Sequence, residues 1–439
     1  MDLFEELSWR GLVYDTTDGL REVIRDQSLI GYIGFDPTAV SLHVGSLLPV
    51  MALARLQRSG HSPIGIVGGG TGLIGDPSGK SAERTLMTAD QVDANVAGIR
   101  AQLERFLDFD APTHAARLVN NADWLTKLSA MEFLRDVGKY FTVNAMLAKE
   151  SVKRRIESEE GISYTEFSYS LLQAYDFLVL HERFGCTLQL GGSDQWGNIV
   201  AGIDLIRRVR AAKAHGLVMP LLTTSSGAKF GKTEGGAVWL DASLTSPYEF
   251  YQFWFNTDDR DAVRYLKFFT FLDRPAVEAL ESASATEPEK RDAQRALARE
   301  VTRLVHGQAA VVEAEAAAAK LFRGDLSAMS MRELLQIFSN VPSCDLPSAQ
   351  AGWIITELLA ASGVASSKGE AARLVKGGGI TLNGRRIADE KERVLPAHAI
   401  EGRIFVIRKG KRDNFLVRLL DGQAPSLAGA VDRRPPGIL

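Results

Sequence analysis

Two short motifs far apart in the chain carry side chains suited to phosphate chemistry. The first is Gly34-Phe35-Asp36-Pro37-Thr38 followed by His43-Val44-Gly45, where a predicted apolar strand gives way to a helix with apolar residues at helical spacing. His43 is therefore expected near the amino end of that helix, where unpaired backbone N–H groups attract phosphate. The second motif, Lys229-Phe230-Gly231-Lys232-Thr233, is predicted to be a mobile loop whose two cations could close on a triphosphate. Together they predict a site at which the α-phosphate of ATP is attacked.

A glycine-rich segment, residues 68–80, follows the second predicted strand. Its glycines would let the backbone approach a ligand closely, since glycine has no side chain. Asp76 adds an acceptor for a ligand amine, while Lys80 and Arg84 can reach phosphate. The spacing matches neither a Walker loop nor a dinucleotide-binding fingerprint, so a surface turn is the alternative interpretation.

A pair of glycines, Gly191 and Gly192, comes at the end of another predicted strand, where open parallel sheets bind ligands. Two glycines admit the face of an adenosine. Asp194 could accept hydrogen bonds from ribose hydroxyls, and Gln195 could contact the substrate. A helix cap by Ser193 or Asp194 is the alternative.

Tyr169, Gln173 and Asp176 recur at helical spacing, so they should project from one face of a helix. Polar groups on a stripe shared with Leu172 indicate a pocket. A stripe facing solvent is the alternative interpretation.

Short apolar runs alternate with helical patterns from residue 30 to about residue 222, which predicts an α/β fold with a Rossmann-like parallel sheet. The predicted strands are Ile30–Phe35, Pro63–Val67, Arg117–Asn120, Thr187–Gly191 and Val218–Leu222. A helical insert at about 121–160 carries more apolar residues than a surface excursion would bury. Either a subunit interface or packing against the parent domain would explain them.

The rest of the chain divides into a helical region and a small basic module. Aromatic residues from Tyr248 to Phe255 open the helical region and are interpreted as helix core rather than as a base-stacking surface. Helices at Ile354–Ala361 and Glu370–Lys376 are predicted next, with an Asn383-Gly384 hairpin turn after a short strand at Ile380–Leu382 and a further strand at Ile404–Ile407.

Composition places the 439-residue chain among ordinary globular proteins of two or three domains, with 45% hydrophobic and 24% charged residues. Residues 361–420 hold 13 Lys or Arg against 6 Asp or Glu, a net charge of +7. Because the net charge of the whole chain is −3, the remaining residues carry a net charge of −10. A basic module on an acidic body suits a polyanion-binding domain, although an ordinary charged surface is the alternative. Cys186 and Cys344 lack metal-ligand spacing and are interpreted as incidental thiols. The chain has no apolar stretch of membrane-spanning length and an acidic start, so a cytoplasmic protein is expected.

The four motifs agree in order and spacing with those of one family. The chain resembles bacterial tyrosyl-tRNA synthetases, which are class I aminoacyl-tRNA synthetases, over essentially its whole length. The matching stretches are residues 32–46, 68–80, 169–176 with 191–198, and 229–233. The stretch from Ser366 through Gly384 also resembles a small RNA-binding fold found in a ribosomal small-subunit protein and in RNA-modifying enzymes.

The resemblance implies a role for each matching residue. Tyr32 and Asp176 would hydrogen-bond the phenol of tyrosine, and Asp76, Tyr169 and Gln173 would hold its ammonium. Asp36 and Gln195 would help to place the amino acid. The ATP-binding set would be Gly34, Pro37, Gly45, Ser46, Lys80, Arg84, Gly192, Asp194 and Lys232, with Gly192 and Asp194 on the ribose. Thr38, His43, Lys229, Lys232 and Thr233 would hold the phosphates as pyrophosphate departs. RNA contacts are expected at Lys368, Arg373, Lys376, Arg385 and Arg386.

The resemblance also implies a two-step activity. Tyrosine and ATP would give tyrosyl-adenylate and pyrophosphate, and the tyrosyl group would then move to the terminal adenosine of tRNA(Tyr). ATP is a substrate with Mg²⁺ as its companion, and no tightly bound cofactor or protein metal site is expected. The family works as a homodimer, with the helical insert as the expected contact.

The implied domains are a catalytic domain (1–223), a signature loop and connector (224–245), a helical tRNA-binding domain (246–340), a linker (341–350), a small RNA-binding domain (351–422) and a tail (423–439). Two departures from the family motifs are visible. Ser46 stands where His or Asn is usual, and Phe230, Gly231 and Thr233 stand where many relatives in the class have Met, Ser and Ser.

Three rival interpretations remain. They are a tryptophanyl relative, a nucleotidyltransferase that shares the His-x-Gly signature, and a synthetase-like RNA-binding protein without catalysis. The Tyr32 and Asp176 pair disfavours the first, the basic C-terminal module disfavours the first two, and the retained lysines of the second signature disfavour the third.

Overall fold

The computed structural model describes residues 2–76, 87–157, 161–225, 227, 230–233, 236–322, 326, 329–338, 341–348, 351–410 and 413–420. Lys80, Arg84, Lys229 and the predicted tail 423–439 lie outside these residues. The chain forms two compact units. One comprises Met1–Thr245 with Phe253–Val305, and the other Ser246–Gln252 with His306–Leu439.

A sheet with six strands in the described part of the chain organises the first unit. The strands are β1 (Asp15–Thr16), β2 (Ile30–Phe35), β3 (Ser62–Val67), β4 (Arg117–Asn120), β5 (Leu188–Gly192) and β6 (His215–Met219). Their order is β1-β6-β5-β2-β3-β4, and all neighbours are parallel except β1 with β6. The order reverses between β2 and β5, which is where doubly wound sheets bind ligands at the carboxyl edge. The predicted α/β class is confirmed.

The last predicted strand of this sheet was placed too far along the chain. Val218–Leu222 was predicted, whereas β6 runs from His215 to Met219. Pro220 ends the strand because proline has no N–H to donate to the ladder. The apolar run predicts a later start because His215, the first residue of β6, is polar. In the structure the His215 side chain is buried like its apolar neighbours.

Helices flank and extend this sheet. They are α1 (Leu3–Trp9), α2 (Leu20–Asp26), α3 (Leu47–Arg58), α4 (Ala89–Leu103), α5 (Ala122–Leu125), α6 (Ala130–Glu132), α7 (Val143–Leu147), α8 (Glu150–Ile156), α9 (Tyr164–Phe184), α10 (Trp196–Arg210), α11 (Pro247–Phe255), α12 (Asp259–Phe269), α13 (Arg274–Thr286) and α14 (Asp292–His306). Short strands β7 (Lys232–Thr233) and β8 (Gly236–Ala237) pair with each other. Helix α11 contributes residues to both units.

Helix α9 is the longest element that carries predicted site residues, and both of its ends are specified locally. The Ser163 side chain accepts a hydrogen bond from the Glu166 N–H at the start, and Gly185 ends the helix with a φ of 69°. Glycine adopts this left-handed conformation without strain. The helix core includes Phe177 and Leu180, which are completely buried.

The second unit combines helices with a sheet of five strands in the described residues. After α15 (Gln308–Phe322) and α16 (Met331–Ile337), its elements are β9 (Ser343–Pro347), β10 (Trp353–Ile354), α17 (Ile355–Ala361), α18 (Lys368–Lys376), β11 (Ile380–Leu382), β12 (Arg385–Arg386), β13 (Arg393–Val394), β14 (Ile404–Lys409) and β15 (Asp413–Leu420). The sheet order is β12-β11-β14-β15-β9, and β10 pairs separately with β13. Apolar side chains of α17, α18 and the sheet form one core.

One prediction for this unit is confirmed and another is wrong. Asn383 and Gly384 have φ values of 49° and 83°, as a two-residue hairpin turn requires, and they join β11 to β12. The segment predicted as a linker, 341–350, instead contains β9, which pairs in parallel with β15. The segment looks like a linker because it contains Pro342, Ser343, Pro347 and Ser348. It can nevertheless form a strand, because β9 lies at the edge of the sheet, where proline is tolerated.

The aromatic cluster at the start of the helical region is buried, as predicted. Phe250, Tyr251 and Trp254 are each at most 3% exposed. None of the helices in the described ranges is long and apolar enough to cross a membrane.

A buried arginine on α3, the helix that follows the first motif, forms hydrogen bonds with the end of α12. The Nη2 group of Arg55 donates to the carbonyl oxygens of Lys267 (3.2 Å), Phe268 (2.9 Å) and Thr270 (2.8 Å). These carbonyls belong to the last turn of α12, where a helix lacks internal donors and a cation is favourable. Burial lowers the pKa of Arg55 to about 9.

Replacing Arg55 should therefore destabilise the first unit strongly. Arg55→Met removes the donor of the Phe268 carbonyl and one of two donors of the Lys267 and Thr270 carbonyls, to which Nη1 of Arg10 also donates. We expect the free energy of unfolding to fall by about 1–3 kcal/mol. Arg58, on the same helix, is exposed and stacks on Phe271 at 3.8 Å. Arg58→Met should cost less than about 1 kcal/mol. Urea unfolding followed by circular dichroism measures both, and equal losses would contradict this account.

Candidate active site

A cavity of about 320 Å³ opens at the carboxyl edge of the sheet, where β2, β3 and β5 end. Residues of the predicted site line it from five parts of the chain: Tyr32, Gly34, Asp36, Gly45, Asp76, Tyr169, Gln173, Asp176, Gly192 and Gln195. The parallel topology brings these distant segments together because every parallel strand ends at the same edge.

One end of the cavity is built around the buried carboxylate of Asp176. Its Oδ1 accepts from the indole Nε1 of Trp124 at 2.7 Å, and its Oδ2 accepts from Nδ2 of Asn121 at 2.9 Å. Burial raises the pKa of Asp176 to about 7, whereas the two donors act to lower it. The site therefore holds a carboxylate whose ionised form depends on these two donors.

Asn121 also connects Asp176 to the glycine-rich segment. Its Oδ1 accepts from the Gly70 N–H at 2.7 Å, and its Nδ2 donates to Oγ1 of Thr71 at 2.9 Å. Asn121 and Trp124 were missed by the sequence analysis. Their signal was available, because Asn121-Ala122-Asp123-Trp124 directly follows β4 at the ligand-binding edge.

Two polar atoms near Asp176 are buried without a hydrogen-bond partner among the described residues, namely Oη of Tyr32 and Oε1 of Gln189. Tyr32 and Gln189 are register partners in the adjacent strands β2 and β5, and both line the cavity. Buried polar atoms are nearly always paired, so this pair of atoms indicates a polar group on a ligand. Gln189 was also missed, although a lone glutamine within an apolar strand is a usable signal.

The other end of the cavity is a network of amide and carboxylate groups. The Nε2 group of Gln195 donates to Oδ2 of Asp76 at 2.9 Å, and the Nε2 group of Gln173 donates to Oε1 of Gln195 at 3.2 Å. Tyr169 and Asp176 are 5% and 4% exposed, so the alternative of a stripe facing solvent is wrong for these residues. This end presents acceptors suited to an amine.

A cation unassigned by the sequence analysis lies near Asp76. The Nζ atom of Lys149 is buried and has no hydrogen-bond partner in the described ranges. Burial lowers the pKa of Lys149 to about 8, and the charge of Asp76 opposes that shift. The Asp76 end of the cavity therefore has a basic side chain contributed by the helical insert.

Gly192 lines the cavity and lies against the side chain of Asp194. Gly192 precedes a short 3₁₀ helix, Ser193–Gln195, and no side-chain cap is made there, so the alternative role of Ser193 or Asp194 as a cap is wrong. A Cβ on Gly192 would lie 2.5 Å from Oδ1 of Asp194. Only glycine therefore leaves the Asp194 carboxylate room beside the backbone.

The two signature motifs approach each other. The backbone N–H of Val44 donates to the carbonyl of Val238, and the Val238 N–H donates to the carbonyl of Gly231. Gly231 has a φ of 81°, and a Cβ there would lie 2.8 Å from Cγ2 of Val44 and 3.5 Å from the Gly45 nitrogen. The predicted juxtaposition of the motifs therefore holds for their described residues. Lys229 and the side chains of Lys232 and Thr233 lie outside what the structure describes.

His43 stands where the first signature begins its helical turn. It precedes a 3₁₀ turn, Val44–Ser46, which leads directly into α3. Its Nδ1 accepts from the Gly45 N–H at 3.0 Å. In neutral imidazole the other nitrogen, Nε2, then carries the proton and is the donor.

The other predicted residues of the first motif differ in burial. Thr38 and Gly34 are exposed, and Pro37 is buried. The side chain of Ser46 makes no capping hydrogen bond to α3.

Two family models match this chain. The family model for class I tRNA synthetases of the tryptophan and tyrosine type matches residues 25–323, and that for the C-terminal domain of tyrosine–tRNA ligases matches residues 333–417. The tyrosine–tRNA ligase of Roseiflexus castenholzii is 55% identical over 421 residues, covering 95% of this chain and 99% of that protein. The chain belongs to the tyrosine–tRNA ligases.

Further members of this family match the chain in sequence and in structure. The Geobacillus stearothermophilus tyrosine–tRNA ligase is 52% identical, with 95% of this chain and 100% of that protein covered. A C-terminally truncated mitochondrial tyrosyl-tRNA synthetase from Aspergillus nidulans matches in structure with a TM-score of 0.67 at 34% identity, covering 73% of this chain and 94% of that one. The predicted family and enzyme class are confirmed.

The contact between the two signatures gives a matched pair of variants in this tyrosine–tRNA ligase. Gly231→Ala adds a Cβ against Val44, whereas Gly227, with a φ of 80°, has no atom of the described residues within 4 Å of its added Cβ. Both variants pay a similar backbone strain of about 1 kcal/mol. We expect Gly231→Ala to slow tyrosine-dependent pyrophosphate exchange at least about 10-fold more than Gly227→Ala. Equal rates would show that the contact is unimportant.

Proposed function

We propose that the cavity at the sheet edge is the site at which this ligase joins tyrosine to AMP. The observation that carries the proposal is the pairing of a buried carboxylate, Asp176, with the buried and unpartnered Oη of Tyr32 in one cavity. A phenol hydroxyl between them would donate to Asp176 and satisfy Tyr32. An amine at the opposite end would meet Asp76, Gln173 and Tyr169.

The chemistry follows from charge and position. The tyrosine carboxylate is ionised at neutral pH, so it can attack the α-phosphorus without a general base. A new bond forms between the carboxylate oxygen and phosphorus while the bond to the departing pyrophosphate breaks. Asp36 and Gln195 would place the amino acid, and Asp194 beside Gly192 would accept from the ribose hydroxyls. Positioning and charge stabilisation supply the rate.

Stabilisation of the leaving pyrophosphate is proposed for the signature motifs. His43 and Thr38 stand at the first motif, and Lys229, Lys232 and Thr233 would act from the second, with Lys80 and Arg84 as further phosphate ligands. ATP would enter as its Mg²⁺ complex, its usual form. Gly34, Pro37, Gly45 and Ser46 would lie along the nucleotide. Ser46 is shorter than the family's usual His or Asn, so a water-mediated contact is expected there.

Transfer to tRNA is proposed to use the basic C-terminal module. Lys368 pairs with Glu357, Lys376 with Glu390 and Arg385 with Glu392 on its surface. These basic side chains are at least 60% exposed, so the pairs are worth little and phosphate can displace the carboxylates. Arg373 and Arg386 are exposed in the same module. A cytoplasmic location stays a prediction.

Pyrophosphate exchange that requires tyrosine tests the assignment directly, because only adenylate formation returns labelled pyrophosphate to ATP. Tyr32→Phe removes one hydrogen bond to the phenol and should raise the KM for tyrosine about 5- to 10-fold. Tyr14→Phe is the matched control, since Tyr14 is 67% exposed. Exchange driven equally by tryptophan or phenylalanine would overturn the proposal.

The affinity for tyrosine should depend on pH through Asp176. Its pKa of about 7 means that the carboxyl becomes protonated below that pH, and the neutral acid is a weaker acceptor for the phenol than the carboxylate is. Binding should therefore weaken as the pH falls through about 7, measured by calorimetry between about pH 6 and pH 8.5. Trp124→Phe removes a donor to the ionised form and should shift the midpoint to higher pH, while Asp176→Asn should give a flat profile. A flat wild-type profile would contradict this role.

We also propose that the chain forms a homodimer through the helical insert. Six of the large apolar side chains that are exposed in the described residues lie between positions 131 and 164: Met131, Leu134, Val143, Leu147, Ile156 and Tyr164. Five of the six belong to the insert, and Tyr164 begins α9 just after it. Other residues of the insert, such as Val137 and Met146, are buried, whereas these six are exposed. A patch of this kind is typical of a subunit interface.

A charge in the patch should separate the subunits. Val143→Asp places a carboxylate in the proposed contact and should give a monomer in sedimentation velocity. Val312→Asp is the control, because Val312 is similarly exposed on α15 in the other unit. A monomeric wild-type protein at micromolar concentration would contradict the proposal.

A further inference from the structure

A short segment outside both signature motifs joins them. We name Val238–Leu240 the bridge segment. Its Val238 carbonyl accepts from the Val44 N–H at 2.9 Å, and its Leu240 N–H donates to the Leu42 carbonyl at 2.9 Å. These two bonds make an antiparallel bridge in which Trp239 stands opposite His43. The Val238 N–H also reaches the Gly231 carbonyl at 3.1 Å, so the segment is bonded to both motifs.

The Trp239 side chain lies against the His43 ring. The two ring centroids are 6.2 Å apart with an interplanar angle of 73°, an edge-to-face arrangement that is attractive for aromatic rings. The His43 side chain is exposed, so the contacts around its ring decide which rotamer it adopts. The Gly45 N–H holds Nδ1, and the indole restricts the ring, so together they set the direction of Nε2.

Trp239 is itself held in place. Its backbone N–H donates to Oγ1 of Thr245 at 2.9 Å, and Thr245 is buried. Just after the bridge segment, the backbone N–H of Asp241 donates a hydrogen bond to Oγ of Ser41 at 3.2 Å. Ser41 in turn accepts from Nε2 of Gln102, whose Oε1 accepts from the Leu42 N–H. The bridge is therefore anchored on both sides to well-packed structure.

We infer that Trp239 is a positioning residue for His43, holding the imidazole so that Nε2–H meets the negative charge that develops on the departing pyrophosphate. The inference rests on the proposed role of His43. A donor that is aligned in advance stabilises the transition state more than one that must be ordered during reaction. Loss of the indole should then slow adenylate formation without changing the tyrosine end of the cavity.

A double-mutant cycle in the full-length enzyme tests this inference. Trp239→Leu keeps an apolar side chain but removes the ring edge, and Trp239→Phe keeps an aromatic ring as the matched control. In pyrophosphate exchange, we expect Trp239→Leu to lower kcat about 10-fold with the KM for tyrosine unchanged, and Trp239→Phe to stay within about 3-fold of wild type. In a His43→Ala background, Trp239→Leu should have no further effect, because the group through which it acts is gone.

The other outcomes overturn the inference. An equal loss in both backgrounds would mean that Trp239 acts independently of His43, and a parallel loss of tyrosine affinity would mean that it serves the fold. If Trp239→Leu fails to fold, Thr245→Val replaces it in the cycle, because it removes the acceptor of the Trp239 N–H, with Thr245→Ser as its control. A wild-type enzyme that shows no tyrosine-dependent exchange would instead refute the proposed function.

Discussion

The need to keep a charged carboxylate inside the protein governs one end of this site. Asp176 is buried on α9, and an unpaired carboxylate there would be costly. Trp124 and Asn121 each donate to one of its oxygens, and Asn121 also holds the Gly70 N–H and Thr71. The glycine-rich segment, the residues after β4 and the helix α9 are therefore connected through one carboxylate. A hydroxyl that approaches Asp176 meets an acceptor already oriented by its neighbours.

The region where the first and second motifs meet faces a different constraint, since two segments from distant parts of the sequence must lie together there. The contact is made by backbone and small residues. Gly231 lies against Val44, and the segment Val238–Leu240 pairs with Leu42 and Val44. Backbone hydrogen bonds define the spacing of the motifs independently of most side chains, so the sequence between them can vary. The aromatic residues of α11 and α12 support the same region, where Phe230 stacks on Phe269 with an interplanar angle of 10°.

The C-terminal unit illustrates how a local pattern and a long-range pairing differ in predictability. Asn383-Gly384 specifies its turn by itself, because both positions need a positive φ that these residues tolerate. Strand β9 is different, since its partner β15 lies far along the chain and its own sequence is rich in proline and serine. Pairing with β15 overrides the local signal, and so a segment that looks like a linker becomes an edge strand.

Sequence alone determined the fold class, the family and ten of the residues that line the cavity. Strand periodicity, glycine-rich stretches after strands and the spacing of Tyr169, Gln173 and Asp176 are local properties that survive without tertiary context. Tertiary structure decided what depends on long-range neighbours. Asn121 and Trp124 belong to the site because they donate hydrogen bonds to Asp176. Gln189 belongs to it because it is the register partner of Tyr32. Trp239 is of interest because its ring lies against that of His43. None of these pairings leaves a periodic trace, because each joins residues that only the folded sheet and its crossovers bring within a few ångströms.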